Sequence, residues 1–191
     1  MRLQFGELNI TPRVEERLAE LGYTPEELQE AVSEHKSGCD GEPSVYVGTY
    51  GKYNEGSLCG LWIDLSSFSD YDEFIDFCNA IHADEEDPEL MAQDYECFPR
   101  QWYNEGFMSE EDFDHIKEYT EMCEKHSAEA VDDYLEIHDD LDDFEEAYCG
   151  EWDSEEDFAR HIVNECYNLE KLMGDLSRYF DYEAVSYTHL T

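Results

Sequence analysis

"SVYVGTYGKYNEGSLCGLWIDL", Ser44 to Leu65, reads as a strand, a glycine-rich loop and a second strand. Val45 and Val47 alternate with Tyr46, and Leu61, Ile63 and Leu65 alternate with Trp62 and Asp64, the period-2 pattern of half-buried strands. The glycines are not a phosphate cradle. Two residues separate Gly48 from Gly51 where a Walker loop has four, and Tyr53 rather than Ser or Thr follows Lys52. The spacing predicts a hairpin connection.

Helix signals lie on both sides of this pair. Downstream, "SDYDEFIDFCNAIH" opens with Ser69 and Asp72 at capping-box spacing, and Phe74, Phe77, Cys78 and Ile81 follow on one helical face. An acidic break, "DEEDPEL", precedes a short extended piece in "QDYECFPRQWYNEGF". Ser109 with Asp112, and Ser154 with Asp157, open two more helices, with Phe113, Ile116, Thr120 and Cys123, then Phe158, Ala159, Ile162 and Cys166, on their apolar faces. Val131 to Leu141 and Leu141 to Tyr148 read as short amphipathic helices. Upstream, "LQFGELNI" suggests a short strand. Thr11-Pro12 and Thr24-Pro25 each place a cap before a first-turn proline, Gly22 closes the first of these helices, and "SGCDGEP" is a linker. The fold class is α+β: short antiparallel sheets decorated by acidic amphipathic helices, with residues 1–44 as an N-terminal helical appendage and linker.

The 191 residues hold 51 Asp plus Glu against 11 Lys plus Arg, a net charge of -40, yet 41% are hydrophobic and 14% aromatic. Disordered acidic chains lack such apolar content, so this is a folded protein that tolerates self-repulsion. Solubility asks for a net charge of only about 2 to 8. The sign excludes nucleic acid and anionic membrane as direct partners and favours a strongly basic protein, a multivalent cation or a saline habitat. No stretch approaches the roughly 18 apolar residues of a membrane span, and no signal peptide is visible. Seven cysteines, scattered singly, read as reduced intracellular thiols. The expected location is cytoplasmic.

Chemistry is hard to place. Carboxylate pairs are everywhere, so no general acid or base stands out. There is no nucleophile elbow, no HExxH and no His/Cys cluster at metal-ligand spacing. No window fits an EF-hand loop, since Glu145 occupies the glycine position near Asp140 to Asp142. No enzyme activity, cofactor or metal is expected.

From Asp132 to Asp157, 26 residues carry fourteen carboxylates and no Lys or Arg, threaded with Tyr134, Leu135, Ile137, Leu141, Phe144, Tyr148 and Trp152. On short helices the apolar residues face inward and the acids outward. Duplex DNA carries two charges per base pair, so about 40 carboxylates match roughly 20 base pairs, near 70 Å of duplex. Such a surface could occupy a basic DNA channel, with carboxylates standing where phosphates lie. Two rivals fit the charge: an acidic chaperone or cation buffer that binds without DNA-like geometry, and a halophilic protein that unfolds at low salt.

The opening motif, with its K-Y-N-E-G loop and G-x-W strand, resembles the start of the ArdA antirestriction proteins. "QDYECFP" is similar to that family's D-Y-E segment, and "SEEDFARHIVNE" followed by "LSRYFDYEA" is similar to its C-terminal helix and Y-x-D-Y signature. The resemblance covers about residues 45–184. It implies an elongated homodimer that acts as a DNA mimic in the methyltransferase core of type I restriction-modification enzymes. There it would protect incoming mobile DNA, such as conjugative elements, in a bacterial host. The implied units are an α/β unit at 45–105, a helical middle unit at 106–142 and a C-terminal α+β unit at 143–184, truncated relative to the family. The acid-free "AVSYTHLT" is out of character, and residues 185–191 read as a non-native tail. The expected partner-binding acids are Glu110, Glu111, Asp114, Glu118, Glu121, Asp132, Asp133, Glu136, Asp139, Asp140, Asp142, Asp143, Glu145 and Glu146. The loop residues Lys52, Tyr53, Asn54, Glu55 and Gly56 are expected to be structural.

Overall fold

The computed structural model describes residues 10–34 and 41–189, which fall into two compact units, 1–144 and 145–191. The strand expected in "LQFGELNI" and most of the linker before Pro43 lie outside the described residues. The first unit is α+β around one three-stranded antiparallel sheet.

Strand β1 (Ser44–Thr49) is central, between β2 (Leu61–Asp64) and β3 (Leu90–Glu96). Val45 pairs with Ile63 and Tyr95, and Val47 with Leu61 and Ala92, with a bulge in the β1/β3 register at Tyr46/Val47. The pleat sends Val45, Val47, Ile63 and Ala92 into the core, and puts Tyr46 edge-on to its cross-strand partner Trp62 at 5.6 Å on the other face.

The strand connection is not the expected open hairpin loop. It contains a short helix, α3 (Tyr50–Asn54). Thr49 caps it by accepting from the Lys52 N–H. Gly56, at φ +82°, ends it, its N–H reaching the Tyr53 carbonyl while the Ser57 N–H reaches that of Lys52. Two local signals, a threonine cap and a left-handed glycine stop, thus win over a hairpin turn. Gly60 has a different constraint: a Cβ there would lie 2.4 Å from the Val47 carbonyl oxygen.

The N-terminal helices α1 (Pro12–Glu20) and α2 (Pro25–Glu34) begin where the Thr-Pro pairs predict and belong to the first compact unit. The Tyr23 ring meets Phe77 of α4 (Tyr71–Ile81) edge-on, which ties the appendage to the body. The α4 cap sits one residue later than expected. Asp70, not Ser69, accepts from the Glu73 N–H, and the Glu73 carboxylate accepts from the Ser69 N–H. Both frames satisfy the capping pattern, and the one with two full carboxylates prevails.

Around α4 the core is aromatic. Phe74 stacks with Phe107 and with Phe113 of α5 (Glu110–Lys125), and Phe68 packs against Phe74 and Phe77. The Lys117 ammonium donates to the carbonyls of Phe68 and Ser69, at 3.0 and 2.7 Å, fastening α5 to the loop before α4. Helix α6 (Ala128–Leu135) follows, and the unit boundary falls in α7 (Phe144–Ala147), whose Phe144 is buried.

The second unit, expected as α+β, contains helices and no strand among its described residues: α8 (Glu155–Cys166), α9 (Leu169–Met173), a 3-10 turn, and α10 (Tyr182–His189). Ser154 and Asp157 cap α8 as expected, and Ala159 and Val163 are its buried residues, while Cys166 is exposed. Cys59, Cys78, Cys123, Cys149 and Cys166 are free thiols among the described residues.

The Gly60→Ala variant is expected to lose about 1–3 kcal/mol, because the added methyl meets strand backbone rather than a mobile side chain. Urea unfolding followed by tryptophan fluorescence measures this, and an unchanged midpoint would contradict the packing described.

Candidate functional site

Five of the expected acids ride on α5. Glu110 and Glu111 lie in its first turn, where the helix dipole favours them, and Asp114 and Glu121 are exposed. Glu118 is half-buried, the exception among the fourteen. The register follows from Phe113, Ile116 and Tyr119, which are buried on the opposite side. Asp112 is absorbed by the capping box with Ser109 and is not an outward-facing charge of the same kind.

Asp132 and Asp133 leave α6 on the exposed side of buried Val131, and Glu136 follows at its C-terminal end. Asp139, Asp140, Asp142 and Asp143 are exposed on the loop to α7, which buried Leu141 and Phe144 pin down. The Gln101 amide donates to the Asp139 carbonyl and the Asp142 N–H to Asp140 Oδ1, both at 3.3 Å. Eleven of the twelve candidate acids from Glu110 to Asp143, all but Glu118, are thus exposed on α5, α6 or this loop, all within the first unit. Glu145 and Glu146, also exposed, begin the second unit.

Two features show how close these acids come to the apolar framework. The Tyr119 hydroxyl donates to Asp132 Oδ1 at 2.8 Å, and burial followed by that bond raises the Tyr119 pKa far above its ordinary value. The Tyr134 pKa is raised by partial burial and then by the charges of Asp143, Asp140 and Asp142. One ring therefore feels three of the loop carboxylates.

A second cluster was not legible in the sequence. The Lys52 ammonium, at the head of the K-Y-N-E-G loop, lies 3.0 Å from His82 Nδ1, 2.9 Å from Asp84 and 3.4 Å from Glu85. Thr49 Oγ1 donates to the same Glu85 carboxylate at 2.7 Å. His82 is 1% exposed. Burial and then the neighbouring Lys52 cation lower its pKa to about 4, against smaller opposing pulls from the Val47 carbonyl and Asp84. The imidazole is therefore neutral, with Nδ1 accepting from Lys52. His82, Asp84 and Glu85 are the described residues that could together hold a metal ion, but the Lys52 ammonium already stands among them. Tyr53, Asn54 and Glu55 of the loop are exposed.

Fold and surface define an acidic α+β binding protein whose carboxylates are carried on an aromatic framework. The family model described as "Antirestriction protein (ArdA)" matches residues 45–187, from the first buried valine of β1 to three residues past the limit expected from the motifs. The chain belongs to the ArdA family of antirestriction proteins, which act against restriction-modification enzymes. Helices α1 and α2 lie outside the match. No curated protein and no solved structure matches the chain. No helix among the described residues is long and apolar enough to cross a membrane.

His82 makes a signed prediction. Its folded pKa is depressed, so the unfolded state binds the proton first, and stability present above pH 6.5 is lost as pH falls toward 4. The stability difference between the wild type and His82→Gln should therefore narrow by about 2 kcal/mol from pH 7 to pH 5. Urea titrations of both proteins at each pH measure it, and a constant difference would contradict the buried neutral imidazole.

Proposed function

We propose that this protein is a DNA mimic: its exposed carboxylates replace phosphates in the DNA-binding groove of a type I restriction-modification enzyme. In that role it protects incoming mobile DNA in the cytoplasm of a bacterial host. The observation that carries the reading is the segment between Lys125 and Arg160. Its 34 residues hold fifteen acids and no Lys or Arg, yet it is folded, with Val131, Leu141, Phe144 and Ala159 buried.

A flexible acidic tail could attract basic proteins, but it would surrender conformational entropy on binding. Charges fixed by buried aromatic residues are pre-organised and lose little. This favours a geometric mimic over an acidic chaperone or cation buffer. Binding would release counterions from both surfaces and weaken with salt, as DNA binding does.

An elongated homodimer completes the proposal, since it doubles the length of duplex imitated. Support comes from the second unit, where Tyr167, Leu172, Met173, Leu176 and Tyr179 are exposed within thirteen residues of chain. That is a large apolar content for so acidic a surface.

Two measurements test the mechanism. Single Ala or amide substitutions among the fourteen acids should each change inhibition of a type I enzyme by less than about threefold, the scale of an exposed charge. Ten together, read by protection of unmodified DNA from cleavage, should abolish it. A large loss from one exposed acid would contradict a distributed surface. Separately, affinity for the methyltransferase core should fall by about 10³-fold or more between low and physiological salt, as for a protein contacting six phosphates. A flat salt response would rule out electrostatic replacement of DNA.

A further inference from the structure

An open pocket of about 450 Å³ lies within the first unit, lined from the end of β3, from α5 and from α6. Ligand sites commonly have volumes of roughly 300–1,000 Å³. Phe98 and Pro99, from the segment "QDYECFP", form one wall, and Pro43, Tyr119 and Ala128 are also in the lining. Cys97 turns the chain out of β3 into that wall at φ +64°, a left-handed conformation that residues with a Cβ rarely adopt. Neighbouring rings hold the walls in place: Tyr95 lies 5.0 Å from Phe98, and Trp102 meets Tyr119 edge-on at 5.9 Å.

Most of the polar lining is already engaged. The Tyr119 hydroxyl donates to Asp132 Oδ1, and that of Thr120 to the Ile116 carbonyl, both at 2.8 Å. Asp132 is the charged residue of the lining among the described residues, and it is exposed. The bases nearest along the chain do not cancel it: Arg100 donates to the Tyr103 carbonyl at 2.6 Å, and Lys125 is outside the lining. The pocket therefore joins apolar walls to a carboxylate that Tyr119 holds in place. A carboxylate only accepts hydrogen bonds. Lys and Arg are the charged side chains that only donate them, each at the end of an apolar stem.

We infer that this pocket receives a lysine or arginine side chain from the DNA-binding groove of the restriction enzyme, its stem against Phe98 and Pro99 and its charged end on Asp132. The inference rests on the DNA-mimic reading above and adds a contact that charge alone does not supply. A DNA phosphate offers the same side chain a charge but no walls, so at this point the mimic can hold the enzyme more tightly than the duplex does. Asp132 stays exposed to water, so its charge is worth no more than that of the other acids, and the walls carry the difference. Burial of the stem is not screened by salt at the concentrations that weaken charge pairing.

NMR titration of the full chain with methylammonium and with n-butylammonium, which share a charge and differ in stem, tests the site. The longer stem should tighten binding about tenfold, with amide shifts concentrated at Phe98, Tyr119 and Ala128. Equal affinity for the two cations would mean diffuse attraction and would overturn the pocket. Two variants then test the partner. Ala128→Phe, at an exposed lining position, places a ring in the pocket without changing charge, and Ala147→Phe, exposed and outside the lining, adds the same ring elsewhere among the acids. Circular dichroism verifies that both fold. Affinity for the methyltransferase core should fall about tenfold or more in Ala128→Phe, by a ratio that holds as salt is raised, and less than about threefold in Ala147→Phe. Equal losses in both variants, or a loss in neither, overturn the pocket contact and leave the DNA mimic standing. A wild type that does not bind the core overturns both.

Discussion

Every feature of this chain is shaped by repulsion between carboxylates. Two unit charges 4 Å apart repel by about 1 kcal/mol in water and about 4 kcal/mol near a protein surface, and here acids outnumber bases 51 to 11. The fold answers with aromatic packing rather than charge pairing. Phe74 alone meets the rings of Phe68, Tyr71, Phe107 and Phe113. Phe144, at the end of the acid-rich loop, is contacted by His126 and Tyr134. Each acidic element is thereby nailed to the core by residues whose burial does not depend on the charge beside them.

The bases are used sparingly and often not on acids at all. Arg17 donates to the Glu86 carbonyl, Arg100 to that of Tyr103, and Lys117 to those of Phe68 and Ser69. Carbonyl oxygens in loops and turns lack the regular partners of helix and sheet, and a cation fills them without cancelling a carboxylate. Lys52 does pair with acids, and its pairing explains its motif. It holds Asp84 and Glu85 against the start of α3, while Gly56 at the other end of that helix supplies the left-handed stop.

Signals that act within a few residues were legible in the sequence. Ser109 with Asp112, Ser154 with Asp157 and both Thr-Pro pairs open helices where their spacing says, and the alternation of Val45 and Val47 marks the central strand. What was not legible depends on contacts distant along the chain. Lys52 reaches residues some thirty positions away, and Tyr119 bonds Asp132 across the turn between α5 and α6. The α3 helix was missed for another reason: five residues are too few to show a period, and only its two ends announce it. For the candidate acids on α5 and α6, helical phase was enough to turn all but Glu118 outward. Glu118 lies closer to the buried side and is half covered.

The acids fall into two sets with different work. Asp64, Asp70, Asp112, Asp157 and Asp181 accept from backbone N–H groups or cap hydroxyls, and Asp84, Glu85, Glu86 and Glu156 pair with bases. Few of the proposed phosphate-mimicking acids appear in either role. A carboxylate that caps a helix or pairs with an arginine has spent its charge inside the protein and offers less to a basic groove. A mimic must therefore build its fold with one population of acids and keep the other facing solvent. Asp132 and Asp140 belong to both, since one oxygen serves the Tyr119 hydroxyl or the Asp142 N–H while each residue stays exposed. That overlap marks where the demands of folding and of binding meet in the same side chains.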